Sequence, residues 1–208
     1  MDTHTHEHTV FTFDELSEKA QDKAIEDNYN WNVDDNFWHE CVIDDCKELG
    51  KLFGIDIDNI YFSGFWSQGD GACFEGDYSY AKQGLKKVQE YAPQDNDLHS
   101  IVKALQDLQK VNFYRLSAHV KHKGHYHHEM CTIIDVDYMD YNDDCPAEYW
   151  NYRDNKPDEA LSELLRDFMR WIYKRLEADY DYLTSKEAIK ESFESNETQF
   201  NEDGTIHW

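Results

Sequence analysis

Residues 113–138 read Phe113-Tyr114-Arg115-Leu116-Ser117-Ala118-His119-Val120-Lys121-His122-Lys123-Gly124-His125-Tyr126-His127-His128-Glu129-Met130-Cys131-Thr132-Ile133-Ile134-Asp135-Val136-Asp137-Tyr138, and this stretch decides the fold class. Tyr114, Leu116, Ala118 and Val120 form one apolar face at period two, and Met130, Ile134 and Val136 form another. That period belongs to half-buried strands, so the stretch predicts a β-hairpin. A two-residue Lys123-Gly124 turn would pair Val120 with His127 and set the two apolar faces on opposite sides. A three-residue loop, Lys123-Gly124-His125, pairs Val120 with His128 and Ala118 with Met130, so that the faces agree. The longer loop is therefore expected.

This register has a chemical corollary. It sets His119 opposite Glu129 on the polar side of the hairpin, with His127 on the same side. Two histidines and a carboxylate on one sheet face could hold a divalent transition metal such as zinc and activate a water for hydrolysis. Asp135 and Asp137 continue that face. The same pattern equally suits a solvated face with cross-strand His–Glu pairs. His125, His127 and His128 cannot all be ligands, because adjacent strand residues point apart.

Working outward, Ile55–Phe62 and the alternation Ala72, Phe74, Tyr78, Tyr80 predict two more strands. Between them lies Ser63-Gly64-Phe65-Trp66-Ser67-Gln68-Gly69-Asp70-Gly71, a glycine-punctuated loop. Phe65 and Trp66, flanked by Gln68 and Asp70, offer contact area to a partner. The loop lacks the spacing and the lysine of a phosphate-binding loop.

The rest is helical. Thr12 and Glu15 fit a capping box, with Leu16, Ala20 and Ala24 following at four-residue spacing. Trp38, Val42, Cys46, Leu49 and Phe53 make a second stripe, stopped by Gly54. Leu98, Ile101, Val102, Leu105 and Leu108 make a third, and residues 82–92 are a weaker helical candidate. A C-terminal helical region over 156–195 starts at Pro157 and restarts at Ser185. Residues 1–10, with His4, His6 and His8, read as a tail, and 199–208 as an extended docking segment. The sum is an α+β fold: one domain over 11–208, with a small antiparallel sheet of about four strands in two hairpins, packed against helices.

Lys and Arg number 20 against 44 Asp and Glu, giving a net charge of −24, while aromatics reach 15%. The aromatic content separates this chain from disordered acidic sequences. The charge excludes direct binding of nucleic acid and favours basic protein partners. No apolar run is long enough for a membrane span, and the polar N-terminus does not read as a signal peptide. Five scattered cysteines without a CxxC fit free thiols in a reducing cytoplasm. No GxSxG or Cys–His arrangement supports nucleophilic catalysis, so no catalytic residue is assigned. Asp140, Asp143 and Asp144, and Asp179 and Asp181, lie in runs interleaved with tyrosine. Such surfaces can imitate nucleic-acid phosphates, and these residues join Phe65, Trp66, Gln68 and Asp70 as candidate partner contacts.

The stretch Tyr61-Phe62-Ser63-Gly64-Phe65-Trp66-Ser67-Gln68-Gly69-Asp70-Gly71-Ala72-Cys73-Phe74-Glu75-Gly76 resembles a family of tailed-bacteriophage proteins, some labelled antitoxin-like. Phe13-Asp14-Glu15-Leu16-Ser17, Gly124-His125-Tyr126 and Asn201-Glu202-Asp203-Gly204 extend the resemblance. It implies a phage origin and action in the bacterial cytoplasm, and brings no catalytic residues or cofactor. The expectation is an acidic, non-enzymatic phage protein that binds and inhibits a host protein, as a counter-defence factor, an antitoxin-like protein or a nucleic-acid mimic. The alternative is a metal-dependent hydrolase using His119, His127 and Glu129.

Overall fold

A computed structural model describes residues 9–35, 37–138 and 156–208. Among them six α-helices and four strands follow in the order α1 (Glu18–Asp27), α2 (Glu40–Phe53), β1 (Ile55–Phe62), β2 (Ala72–Ser79), α3 (Gly84–Tyr91), α4 (Asn96–Val111), β3 (Leu116–His122), β4 (Thr132–Tyr138), α5 (Pro157–Leu183) and α6 (Lys186–Ser195). The fold is α+β, with one antiparallel sheet in the order β1-β2-β3-β4. Two compact units divide the chain, one formed by 41–177 and the other by 1–40 with 178–208.

In the 41–177 unit, alternation sorts the strand residues. Ile55, Tyr78, Ala118 and Val136 are successive cross-strand neighbours, and so are Ile57, Gly76, Val120 and Ile134. Their face joins Phe53 of α2, Val88 of α3, Val102 and Leu105 of α4, and Leu165, Phe168 and Ile172 of α5 in one core. Each large core side chain contributes about 1.5–3 kcal/mol through removal from water. Two polar groups brace this core. Asp95 caps α4 by accepting from the Leu98 N–H at 2.9 Å, and its other oxygen accepts from Trp171 Nε1 at 3.0 Å. Gln109, fully buried, donates to the Leu116 carbonyl at 2.6 Å and accepts from the Leu116 N–H at 3.2 Å.

The hairpin register differs from the expectation. Val120 lies opposite Ile134, not His128, and Ala118 opposite Val136, not Met130. The apolar faces still agree, because the shift of six residues (134 − 128) is even. The loop is longer because His128 caps a single 3-10 turn, Glu129–Cys131, and the Lys123 N–H closes on the Cys131 carbonyl at 2.8 Å.

The second unit is built on aromatic contacts between distant parts of the chain. Phe13 packs on Phe193 and Phe200, at ring separations of 5.7 and 6.0 Å, with Leu16, Ala24 and Ile189 around them. Phe200 bridges both Phe11 and Ile206, so the 199–208 segment docks as expected. The Thr12–Glu15 capping box is present, but it opens a 3-10 turn, Phe13–Glu15, and Ser17 caps α1 itself. The chain is extended at Leu16 and Ser17, so the 3-10 turn and α1 start separately, each with its own cap for its free N–H groups.

Candidate functional site

Two surface features of the 41–177 unit concentrate chemistry. The first is the solvent-facing side of the sheet. The residues that alternate with the core row Ile55, Tyr78, Ala118 and Val136 are Asp56, Asp77, His119 and Asp135, again successive cross-strand neighbours. The three aspartates are exposed, as are Asp58 and Asp137 on the same edges of the sheet. Strands spaced at about 4.8 Å hold these carboxylates on a fixed lattice. His119 is the one imidazole in that row, and its Nδ1 lies 2.7 Å from Asp77 Oδ1.

The second feature is the end of the sheet where two loops meet. The Ser63–Gly71 loop is closed by the Ser63 N–H on the Gly71 carbonyl at 3.1 Å. Asp70 rigidifies it by accepting from the Ser67 N–H at 2.7 Å. Phe65 turns inward onto Phe62 and Tyr173, and the Tyr173 hydroxyl donates to the Gly64 carbonyl at 3.2 Å. Burial, then the neighbouring Asp70, pushes the Tyr173 phenol above its ordinary range. Trp66 projects outward, 65% exposed, with φ of 71°. A bulky residue in the left-handed region is strained by about 1 kcal/mol, and such strain gathers at functional positions.

The 123–131 loop packs beside it. Gly71 lies so close to His128 that a Cβ there would stand 2.5 Å from the His128 Cβ, and Gly69 faces Tyr126. His127 Nδ1 donates to the Phe62 carbonyl at 3.1 Å, and His122 Nε2 to the Tyr126 carbonyl at 2.9 Å. Tyr61 stacks on His122, and its hydroxyl donates to Glu75 at 2.8 Å. That hydrogen bond, with the His122 N–H as a further donor, holds Glu75 below the usual carboxylate range and raises the Tyr61 phenol. Tyr126 and Met130, each 62% exposed, join Trp66 as outward apolar side chains on these adjoining loops.

The His119–His127–Glu129 grouping expected from the sequence is not assembled. The corrected register sets His119 against Asp135 and Asp77, His127 is tied to β1, and Glu129 pairs with Arg170 Nε at 3.3 Å. No group of three or more His, Cys, Asp or Glu arranged to hold a metal occurs among the described residues. Phe65, Trp66, Gln68 and Asp70 share one loop, with Gln68 exposed and Asp70 half-buried. Asp181 is exposed and Asp179 half-buried in the other unit, and Asp140, Asp143 and Asp144 lie outside the described residues. Sequence reasoning put Asp135 on the polar face with His119 but missed that Asp56 and Asp77 extend the row across the sheet, although Ile55-Asp56-Ile57-Asp58 carries the alternation in plain view.

These features define an α+β protein with an open acidic sheet face and an aromatic two-loop end. Residues 38–186 match the family model described as Domain of unknown function (DUF8835), and the chain belongs to that family. No curated protein and no solved structure matches the chain.

Proposed function

We propose that this chain is a non-enzymatic bacteriophage protein that binds and inhibits a bacterial host protein bearing a basic surface, in the host cytoplasm. The observation that carries the reading is the row Asp56, Asp77 and Asp135 across an open sheet face, in a chain of net charge −24. Rows of carboxylates on a rigid lattice attract lysine and arginine and repel nucleic acid, so a groove that normally holds phosphates is a fitting target. Trp66, Tyr126 and Met130 add apolar contact area of the kind that anchors interfaces. The resemblance of residues 61–76 to tailed-phage proteins supports the biological setting, a counter-defence or antitoxin-like role.

The test is capture from bacterial lysate on the immobilised full chain, washed at low and then high salt and read by mass spectrometry. A stoichiometric basic partner should be released at high salt, and lost when Asp56, Asp77 and Asp135 are all changed to Asn. Retention that is indifferent to both treatments, or no partner at either salt, would overturn the reading.

A further inference from the structure

The His122 and His127 rings stand 5.2 Å apart, centroid to centroid, where the two loops meet. Each has one nitrogen committed to a backbone carbonyl, Nε2 of His122 to Tyr126 and Nδ1 of His127 to Phe62. A carbonyl oxygen can only accept, so each committed nitrogen carries the ring proton. The remaining nitrogens, Nδ1 of His122 and Nε2 of His127, therefore present lone pairs in the neutral rings. Histidines that bind metals are typically held in this way, with the non-ligating N–H donated to a carbonyl that fixes tautomer and ring direction. Two imidazoles sharing one tetrahedral ion, with metal–nitrogen bonds of about 2.0 Å, hold their centroids about 5 Å apart.

The geometry points to a two-histidine site, His122 with His127, for a borderline divalent transition ion such as zinc or nickel, its other positions filled by water. Imidazole nitrogen suits these ions better than it suits magnesium or calcium. The site tethers β1, through the Phe62 carbonyl, to the 123–131 loop. An ion there would fix the aromatic end in one arrangement. It keeps His127 from the sequence expectation and replaces His119 and Glu129, which are engaged elsewhere. It does not depend on the acidic sheet face.

The test is calorimetric titration of the full chain with zinc and with nickel at neutral pH, in a background carrying His4→Asn, His6→Asn and His8→Asn to remove competing imidazoles. A single equivalent should bind. His122→Asn and His127→Gln should each weaken it by about tenfold or more. His125→Asn, whose ring contacts Tyr126, should leave it unchanged. Absence of binding, or equal losses in the His125 variant, overturns the site. Should either variant fail to fold, long-range proton–nitrogen NMR of the unsubstituted rings decides. Nε2–H on His122 and Nδ1–H on His127, with zinc shifting the other nitrogen of each, support the site; the opposite tautomers, or no zinc-induced shift, overturn it.

Discussion

Gly71 and His128 are in direct backbone contact: a Cβ on Gly71 would stand 2.5 Å from the His128 Cβ and 2.8 Å from its Cα. No rotamer change relieves a clash with backbone atoms. Gly71→Ala should therefore push the 123–131 loop off the sheet end. The expected loss is about 1–3 kcal/mol of stability, read by thermal melting. Hydrogen exchange at the Lys123 amide, which is bonded to the Cys131 carbonyl, should quicken with it. Unchanged melting would mean that the two loops are not seated on each other.

Trp66 separates strain from recognition. Its φ of 71° suits glycine, and its ring is mostly in solvent. Trp66→Gly should leave the melting temperature level or raise it, because left-handed backbone is free of strain in glycine. The same substitution should abolish capture of the basic partner if the loop is a contact. A fall in stability would show that the ring packs into the fold instead.

Gln109 is a buried polar side chain whose amide spans both backbone groups of Leu116, with Tyr78 Oη also at 3.2 Å from its nitrogen. Gln109→Leu keeps the volume and removes every bond. Leaving buried backbone groups unpaired should cost about 3 kcal/mol in urea unfolding. Partner capture by the folded fraction should not change.

Asp203 supplies a pH dependence of known sign. The Thr205 hydroxyl and N–H and the Lys23 ammonium hold its carboxyl down to about 2, from the ordinary 3.8. A depressed carboxylate pKa stabilises the fold above the unfolded value and loses that contribution as pH falls through the folded one. Protection of the Thr205 amide should therefore decline between about pH 4 and pH 2. Asp203→Asn should remove that part of the profile. An identical acid profile in the variant would exclude this carboxylate as the cause.

Several elements were legible because local chemistry alone determines them. Ile55–Phe62 is a strand with the expected bounds, the stripe Leu98 to Leu108 falls within α4, and Ser185 caps α6. The hairpin shows where such reading stops. Alternation establishes which face a residue occupies, and it correctly put His119 on the polar side. It does not establish how many residues the turn consumes. That count depended on His128 accepting from the Met130 N–H at 3.2 Å to cap a 3-10 turn. The residue across from His119 proved to be Asp135 rather than Glu129, and with that the expected metal grouping dissolved. The meeting of the Trp66 loop with the histidine loop was invisible for another reason. It joins residues about sixty positions apart through a glycine, and glycine spacing does not reveal what approaches it.

The pairing of Phe13 with Phe193 and Phe200 also orders events during synthesis. Each strand in the 41–177 unit pairs with its neighbours in sequence, so that unit can consolidate while the ribosome is still translating later codons. Residues 11–27 have no such option. Their apolar side chains must wait, uncovered, until the segment around 189–206 has emerged. A nascent chain stalled after α5 would thus carry a finished sheet and an unfinished second core, and chaperones would meet it at Phe13, Leu16 and Ile25.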